Sequence, residues 1–335
     1  MASQVRELLQ HLKNSKDGTQ LLTQYCYGGF TDDQIAAFKE KGFDIYKGKV
    51  RELMVSNDDL LIFHTDRLSA FDRYIGLIPF KGIILAKISE FWLKEAQKIV
   101  PTHLLDAPQE RVLKVEKMEP VKAEVIIRGY MTGSMQRAYL RGERNFCGQQ
   151  LPEGLTPSCE LSAPLITPTT KAAVFEHDED ISPAELIQRG VCTREEWDQI
   201  SSMAIKLFQY GQKVYRDMGW ILVDTKYEFG RTKDGQIKII DEVHTPDSSR
   251  LWVAGSYQER VKAGQDPEML DKEIIRRYLM EQGFSGEGPV PAVPVERLVA
   301  LAEVYLKVAE TLLGHPLEFH GNLDTYLQQL FGHKN

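Results

Sequence analysis

Residues 220–243 read WILVDTKYEFGRTKDGQIKIIDEV, and HTPDSSRLW (244–252) follows directly. Two β-rich runs around Asp234–Gly235 predict a hairpin. In a strand, residues two apart share a face. Asp224, Lys226 and Glu228 are then co-facial: acid, base, acid. A two-residue loop at Asp234–Gly235 sets Lys233 opposite Gln236, Phe229 opposite Ile240 and Glu228 opposite Asp241. Directly opposed Cβ atoms lie about 4.5–5.5 Å apart. Two carboxylates at that separation repel by about 3 kcal/mol at an effective dielectric near 20. A cation or a shared proton relieves this, and Mg²⁺ favours a couple of carboxylates with phosphate oxygens. The pattern suits phosphoryl transfer from a nucleotide. A register one residue different would move Asp241 to the other face, and both acids would also be stable simply solvated. The hairpin alone leaves these alternatives open.

The segment beyond the hairpin offers Asp247, Ser248, Ser249 and Arg250 in a turn. Hydroxyls, free N–H groups and an Arg fork suit a phosphate monoester, or else an Asx turn beside a surface arginine. Four further stretches carry anion-binding character. YKGKVRE (46–52) places Lys47, Gly48, Lys49 and Arg51 on a strand–turn–strand. It lacks the spacing of a Walker A loop, and a solvated basic hairpin is the alternative. IIRGYMTGS (126–134) puts Arg128 at a strand end and Ser134 at a helix start, capped by Thr132, where free N–H groups attract anions. LITPTTK (165–171) ends in Lys171, and TDRLSAFD (65–72) crowds Asp66, Arg67, Ser69 and Asp72 into eight residues. The second reads equally as a binding loop or a turn network. HDEDIS (177–182) reads as a helix entry capped by Asp180.

Working outward, residues 43–58 predict two short strands around a turn at Lys47–Gly48, 60–66, 111–118 and 123–130 predict strands, and 88–100 a helix. Residues 1–130 therefore read as mostly antiparallel sheet with helices, the α+β pattern. An N-terminal helix capped by Ser3 would bury Val5, Leu8, Leu9 and Leu12. Residues 145–192 show little periodicity and read as irregular. The capping box Thr193–Glu196 opens a long helix with Trp197, Ile200, Ala204, Leu207 and Phe208 on one face, stopped by Gly219. Asp266–Pro267 predicts another helix start, 283–294 a Gly/Pro linker, and 296–313 an amphipathic helix. Two domains follow, 1–125 with the antiparallel sheet and 126–335 with more helix.

The chain has 335 residues, 41 basic against 48 acidic, and a net charge of −7. That argues against a dedicated nucleic-acid binder, while leaving room for a local basic pocket. No apolar run approaches the roughly 18 residues that cross a bilayer. MASQVRELLQHLKNS has neither the apolar core nor the cleavage site of a secretory signal. Cys26, Cys147, Cys159 and Cys192 form no CxxC pair or zinc-like spacing, which points to a reducing cytoplasm without disulfides.

YKGKVRE, TDRLSAFD, EVIIRGYMTGS (124–134), LPEGL (151–155), TPTTK (167–171), HDEDIS, VDTKYEFG (223–230) and DEVHTPDSSR (241–250) occur in that order. Together they closely resemble the SAICAR synthetase family of purine biosynthesis, over about residues 43–281. VDTKYEFG with TPDSSR is the specific part. The resemblance implies an N-terminal antiparallel-sheet lobe and a larger α+β lobe with ATP in the cleft between them, an architecture akin to ATP-grasp and kinase folds. It implies ATP-dependent ligation of L-aspartate to the carboxylate of carboxyaminoimidazole ribonucleotide (CAIR). On the residues, it implies Mg²⁺ on Glu228 and Asp241 and ATP phosphates at Lys47, Gly48, Lys49 and Arg51. Substrate contacts fall on Arg128, Ser134, Lys171, Asp247, Ser249 and Arg250. Asp224 and Lys226 would meet the imidazole substrate and its reacting carboxylate, with Asp224 nearest by strand position to take the amine proton. ERNFCGQQ (143–150) and the helices after about 285 depart from the shorter family pattern, and leave the oligomeric state undecided. Rival readings are a small-molecule kinase, another carboxylate–amine ligase, or a non-catalytic nucleotide-binding protein.

Overall fold

The computed structural model describes residues 4–15, 18–57, 59–171, 178–320 and 322–332. The expected Ser3 cap, and His177 of the acidic run, lie outside the described residues. The chain forms two compact units. Met1–Phe91, Leu104–Lys117 and Lys272–Asn335 make the first, and Trp92–His103 with Met118–Asp271 the second.

In the first unit, α1 (Gln4–Asn14), α2 (Gly18–Tyr25) and α3 (Asp32–Glu40) precede β1 (Asp44–Lys47), β2 (Arg51–Val55) and β3 (Leu60–His64). A separate hairpin of β4 (Arg67–Ala70) and β5 (Arg73–Leu77) follows, then α4 (Lys81–Ala96), β6 (Leu104–Gln109) and β7 (Val112–Val115). The main sheet is antiparallel in the order β1-β2-β3-β7-β6. On one face of this sheet Met54, Leu61, Phe63 and Val112 join Phe30, Phe38 and Phe43 in a common core, and β3 is buried on its other face too, at Ile62 and His64.

The second unit begins with β8 (Glu119–Pro120) and β9 (Ala123–Tyr130), then α5 (Gly133–Leu140). The stretch read as irregular contains β10 (Asn145–Phe146), β11 (Gln149–Gln150), β12 (Glu160–Ile166), β13 (Thr169–Thr170) and α6 (Pro183–Gln188). Ser182, not Asp180, caps α6, because a Glu185 side chain three residues on completes a capping box. Next come α7 (Arg194–Asp217), β14 (Trp220–Arg231), β15 (Ile237–Ile240), β16 (Ser249–Val253) and α8 (Ala254–Lys262). The Thr193–Glu196 box caps α7 as predicted, and its apolar face, Trp197 to Phe208, is buried. Along one edge of β14 run β8 and β9; along the other run β16 and then β15.

The C-terminal helices are α9 (Glu273–Glu281), α10 (Val295–Leu313) and α11 (Leu323–Gly332). They belong to the first unit, which corrects the expected 126–335 domain. The physical reason is apolar burial within that unit. Val5, Leu9 and Leu12 of α1 are buried beside the apolar face of α10, with Arg6–Glu310 and Lys13–Glu303 ion pairs alongside. Leu327 of α11 completes the phenylalanine-rich core. The helix expected at Asp266–Pro267 starts at Glu273 instead. Residues 268–270 are drawn into extended pairing, with Val253 N donating to Glu268 O and Trp252 bridging Met269.

Candidate functional site

The hairpin differs from its expected register by one residue. Glu228 pairs with Ile240, Phe229 with Ile239 and Arg231 with Ile237. The loop holds three residues rather than two. Gly235 N donates to Thr232 O, and Gly235 takes φ +84°, a left-handed position that extends the turn by one residue. Asp241 therefore does not oppose Glu228 on the ladder. It follows the last paired residue, Ile240, with φ +68°. Its charge still reaches Lys226.

The alternation reading of β14 holds, and one face of the sheet carries the charges. At Asp224 both edges of β14 contribute an arginine: Arg128 pairs from β9 and Arg250 from β16. Arg250 Nη1 donates to Asp224 Oδ2 at 2.7 Å, and Arg128 Nη1 stands 3.6 Å from the same oxygen. Arg128 also donates to Thr167 Oγ1 (2.9 Å) and Ser134 Oγ (3.0 Å). Thr132, expected to cap α5, makes no side-chain cap bond; its hydroxyl donates to Asp224 Oδ2 at 2.8 Å. Gly133 makes this convergence possible. At φ +63° it favours glycine, and a Cβ there would lie 3.0 Å from Arg128 Nη1 and 3.2 Å from Arg250 Nη1. Arg128 and Asp224 are 3% and 4% exposed. Burial pushes the Asp224 carboxyl up, but Arg250, Arg128 and the Thr132 hydroxyl outweigh it and hold it below the usual carboxylate range. A carboxylate so held is a weak base, and its role here is to align two guanidinium forks.

Two residues along the same face, Lys226 Nζ donates to Glu124 Oε1 (2.7 Å) and Glu228 Oε1 (2.9 Å). Lys171 donates to the other Glu228 oxygen. Burial pulls the Lys226 ammonium down, yet Glu228, Glu124 and Asp241 hold it well above the usual lysine range. Burial likewise opposes ionisation of Glu228, and Lys226 and Lys171 overcome it, so Glu228 stays charged to unusually low pH. Glu124 goes the other way: burial raises its pKa despite Lys226. Lys226 is thus a fixed positive charge rather than a base.

The segment after β15 is a hydroxyl-stapled turn. Thr245 O accepts from Ser248 N and Ser249 N, and Thr245 Oγ1 donates to Glu242 Oε2 at 2.5 Å and accepts from Asp247 N at 3.3 Å. The Ser249 hydroxyl is hydrogen-bonded to Thr225 Oγ1 (2.7 Å), so this serine is anchored inward.

In the first unit, the 48–51 turn is strapped from behind. Arg67 donates to the carbonyls of Gly28 (2.7 Å), Gly48 (3.0 Å) and Lys49 (3.2 Å), and to Glu52 Oε1 (3.0 Å). Glu52 is fully buried and accepts from Phe30 N at 2.8 Å. Buried Asp66 accepts from Tyr27 N and Gly82 N. TDRLSAFD therefore serves as a turn network through Asp66 and Arg67. Lys49 is ion-paired with Asp72 at 2.6 Å, and Lys47 with Asp32 at 3.3 Å.

The structure thus brings Arg128, Ser134, Asp224 and Arg250 together, and Lys171, Lys226, Glu228 and Asp241 together. Lys47, Gly48, Lys49 and Arg51 form a separate group in the first unit. Reading the sequence missed Glu124, Thr167 and Gly133. A period-2 reading of β9 contains a signal for Glu124, which shares its face with Arg128. Thr167 and Gly133 carry none. A cavity of about 310 Å³, lined by Tyr130, Glu160, Gln212, Arg216 and Tyr257 among others, shares no lining residue with the charged face.

These features define an α+β protein whose sheet face pairs a two-arginine anion cradle with a lysine–carboxylate cluster. Residues 44–291 match the family model described as SAICAR synthetase. The phosphoribosylaminoimidazole-succinocarboxamide synthase of Legionella pneumophila (strain Lens) is 43% identical over 282 residues, covering 83% of this chain and 90% of that relative. The chloroplastic synthase of Arabidopsis thaliana is 45% identical over 277 residues, covering 81% and 67%. A solved SAICAR synthase from Saccharomyces cerevisiae, complexed with SAICAR, superposes with TM-score 0.72 at 33% identity, covering 82% and 96%. A SAICAR synthetase solved with ADP gives TM-score 0.63 at 26% identity, covering 82% of this chain and all of that one. The chain belongs to the SAICAR synthetase family.

Proposed function

We propose that this protein ligates L-aspartate to the carboxylate of CAIR, releasing SAICAR, ADP and phosphate. Membership of the family supports it, as do the relatives solved with SAICAR and with ADP. The observation that carries it is the order of charges on β14. Two guanidiniums converge at Asp224, while Lys226 and Glu228 stand two and four residues further on the same face. At about 3.3 Å per residue this spans about 7–13 Å, the length scale of a nucleoside monophosphate. Arg128, Ser134 and Arg250 are assigned to the ribonucleotide phosphate. Lys226 is assigned to the reacting carboxylate, with Lys171 beside it on Glu228, and Asp247 is assigned to the substrate as well. Ser249, expected to contact the substrate, is held by Thr225 on the opposite face of β14 and is not assigned to it. The 47–51 turn, with Lys47, Gly48, Lys49 and Arg51, is assigned to the ATP phosphates.

Mg²⁺ fits the donor set. Among the described residues no group of three or more His, Cys, Asp or Glu has metal-site character. Magnesium at a phosphate site needs only one or two carboxylates, its other ligands being water and phosphate oxygens. Glu228, ionised, and Asp241 would hold it, with Lys171 leaving the Glu228 oxygen it now occupies. The ion would neutralise phosphate charge during transfer.

In the mechanism, a CAIR carboxylate oxygen attacks the γ-phosphorus of ATP, giving an acyl phosphate and ADP. The aspartate amine then attacks the acyl carbon, the bond from that carbon to the phosphorylated oxygen breaks, and phosphate departs with the carboxylate oxygen and with the proton the amine sheds. Lys226 cannot supply a base while its ammonium is held by carboxylates, so its contribution is to stabilise the anionic carboxylate and leaving phosphate. Asp224 keeps the arginine forks aligned. All four cysteines are unpaired, which supports a reducing, cytoplasmic setting. No described helix is long and apolar enough to cross a membrane. The test is a coupled ADP assay with CAIR and L-aspartate each omitted in turn. ADP release that requires both is expected. ADP release without CAIR, or product formation without aspartate, would instead support a kinase or another ligase.

A further inference from the structure

We infer that Tyr227 and His244 form a buried pin that positions the 241–250 segment for catalysis from the face of β14 opposite the charges. This rests on the ligase reading above for its kinetic consequence, though not for its structural one. Two non-glycine residues in the four-residue stretch 241–244, Asp241 (φ +68°) and His244 (φ +50°), hold left-handed backbone. Such conformations persist only where the surroundings over-determine them. The surroundings here converge on His244, which is fully buried. Its Nε2 is hydrogen-bonded to the Tyr227 hydroxyl, and its carbonyl accepts from Tyr215 Oη at 2.6 Å. Trp92 Nε1 in turn donates to Tyr215 Oη at 3.0 Å, and the Trp92 ring meets the imidazole edge-on at 4.5 Å. Gly211 on α7 makes the room: a Cβ there would stand 2.6 Å from Nδ1 and 2.9 Å from Nε2.

The placement matters because Tyr227 sits between Lys226 and Glu228 on one strand. Alternation sends those two to the charged face and Tyr227 to the other. One strand therefore presents the charged pair and, from behind, fixes the segment that brings Asp241 and Arg250 to it. Burial pushes the His244 pKa down to about 3, so the pin keeps one neutral form through the working pH range. Tyr227 and His244 are positioning residues, since neither belongs to the charged face.

Tyr227→Phe removes the hydroxyl and keeps the ring. Hydrogen-exchange mass spectrometry should show the 241–249 amides exchanging about tenfold faster, with α7 unchanged. The kcat/KM for CAIR should fall about tenfold at temperatures where the variant is fully folded. Gly211→Ala, which crowds the ring from α7 without touching Tyr227, should reproduce both effects. Unchanged exchange at 241–249 in Tyr227→Phe would overturn the pin whatever the enzyme's substrates prove to be. So would activity lost only in proportion to folded protein. Wild-type protein inert toward CAIR and aspartate would sink the ligase reading instead, leaving the exchange result to decide the pin.

Discussion

Replacing Asp224 with Asn keeps the shape of the side chain and an acceptor for Thr132, and removes the carboxylate that Arg128 and Arg250 share. Breaking a buried ion pair from one side costs about 3–5 kcal/mol. Asp224 and Arg128 have side chains only 5% and 3% exposed, but that of Arg250 is 18% exposed, so the lower end, about 3 kcal/mol, applies. At about 2–4 °C per kcal/mol for a unit of this size, the melting temperature falls by about 6–12 °C. The pH dependence has a definite sign. Asp224 is held below its unfolded value near 3.9, so its contribution is complete above that value and is lost as pH falls through the folded one. The gap in melting temperature between wild type and Asp224→Asn should be level from pH 5 to 8 and narrow below about pH 4. Inorganic phosphate adds a second reading. With the internal carboxylate gone, the two guanidiniums have an anion to gain, so phosphate should stabilise the variant more than wild type. Scanning fluorimetry over pH, with and without phosphate, measures both. A melting temperature within about 2 °C of wild type would refute the reasoning, because the arginines would then not depend on Asp224.

Glu228→Gln should abolish ADP formation while the protein stays folded, as checked by circular dichroism; near-normal turnover would remove Glu228 from the metal and phosphate chemistry. Arg250→Lys loses the planar fork that meets a phosphate dianion and should raise KM for CAIR more than KM for ATP. An unaltered CAIR dependence would free Arg250 from substrate binding. CAIR bearing ¹⁸O in its carboxylate should pass one ¹⁸O to the released phosphate. Unlabelled phosphate alongside complete product formation in a single turnover would exclude the acyl phosphate.

What the sequence determined is local in origin. Period-2 alternation put Asp224, Lys226 and Glu228 on one face, and the structure keeps them there. The Thr193–Glu196 box starts α7, since both partners lie within one helical turn. The strand 123–130 has the predicted ends. Tertiary structure decided the rest. The hairpin register turned on one left-handed glycine, which lengthened the loop and took Asp241 off the ladder. Thr132 had a capping role available locally, yet its hydroxyl serves Asp224, 92 positions away. Lys171 reaches Glu228 from 57 positions away, and Glu124 reaches Lys226 from 102. The C-terminal helices joined the first unit because their apolar faces are matched there by α1 and the phenylalanine core. Local patterns fix which face a side chain occupies, because backbone geometry alone sets that period. Which groups meet across a face depends on strand order and loop length, and those are settled by burial and pairing between segments far apart in the chain.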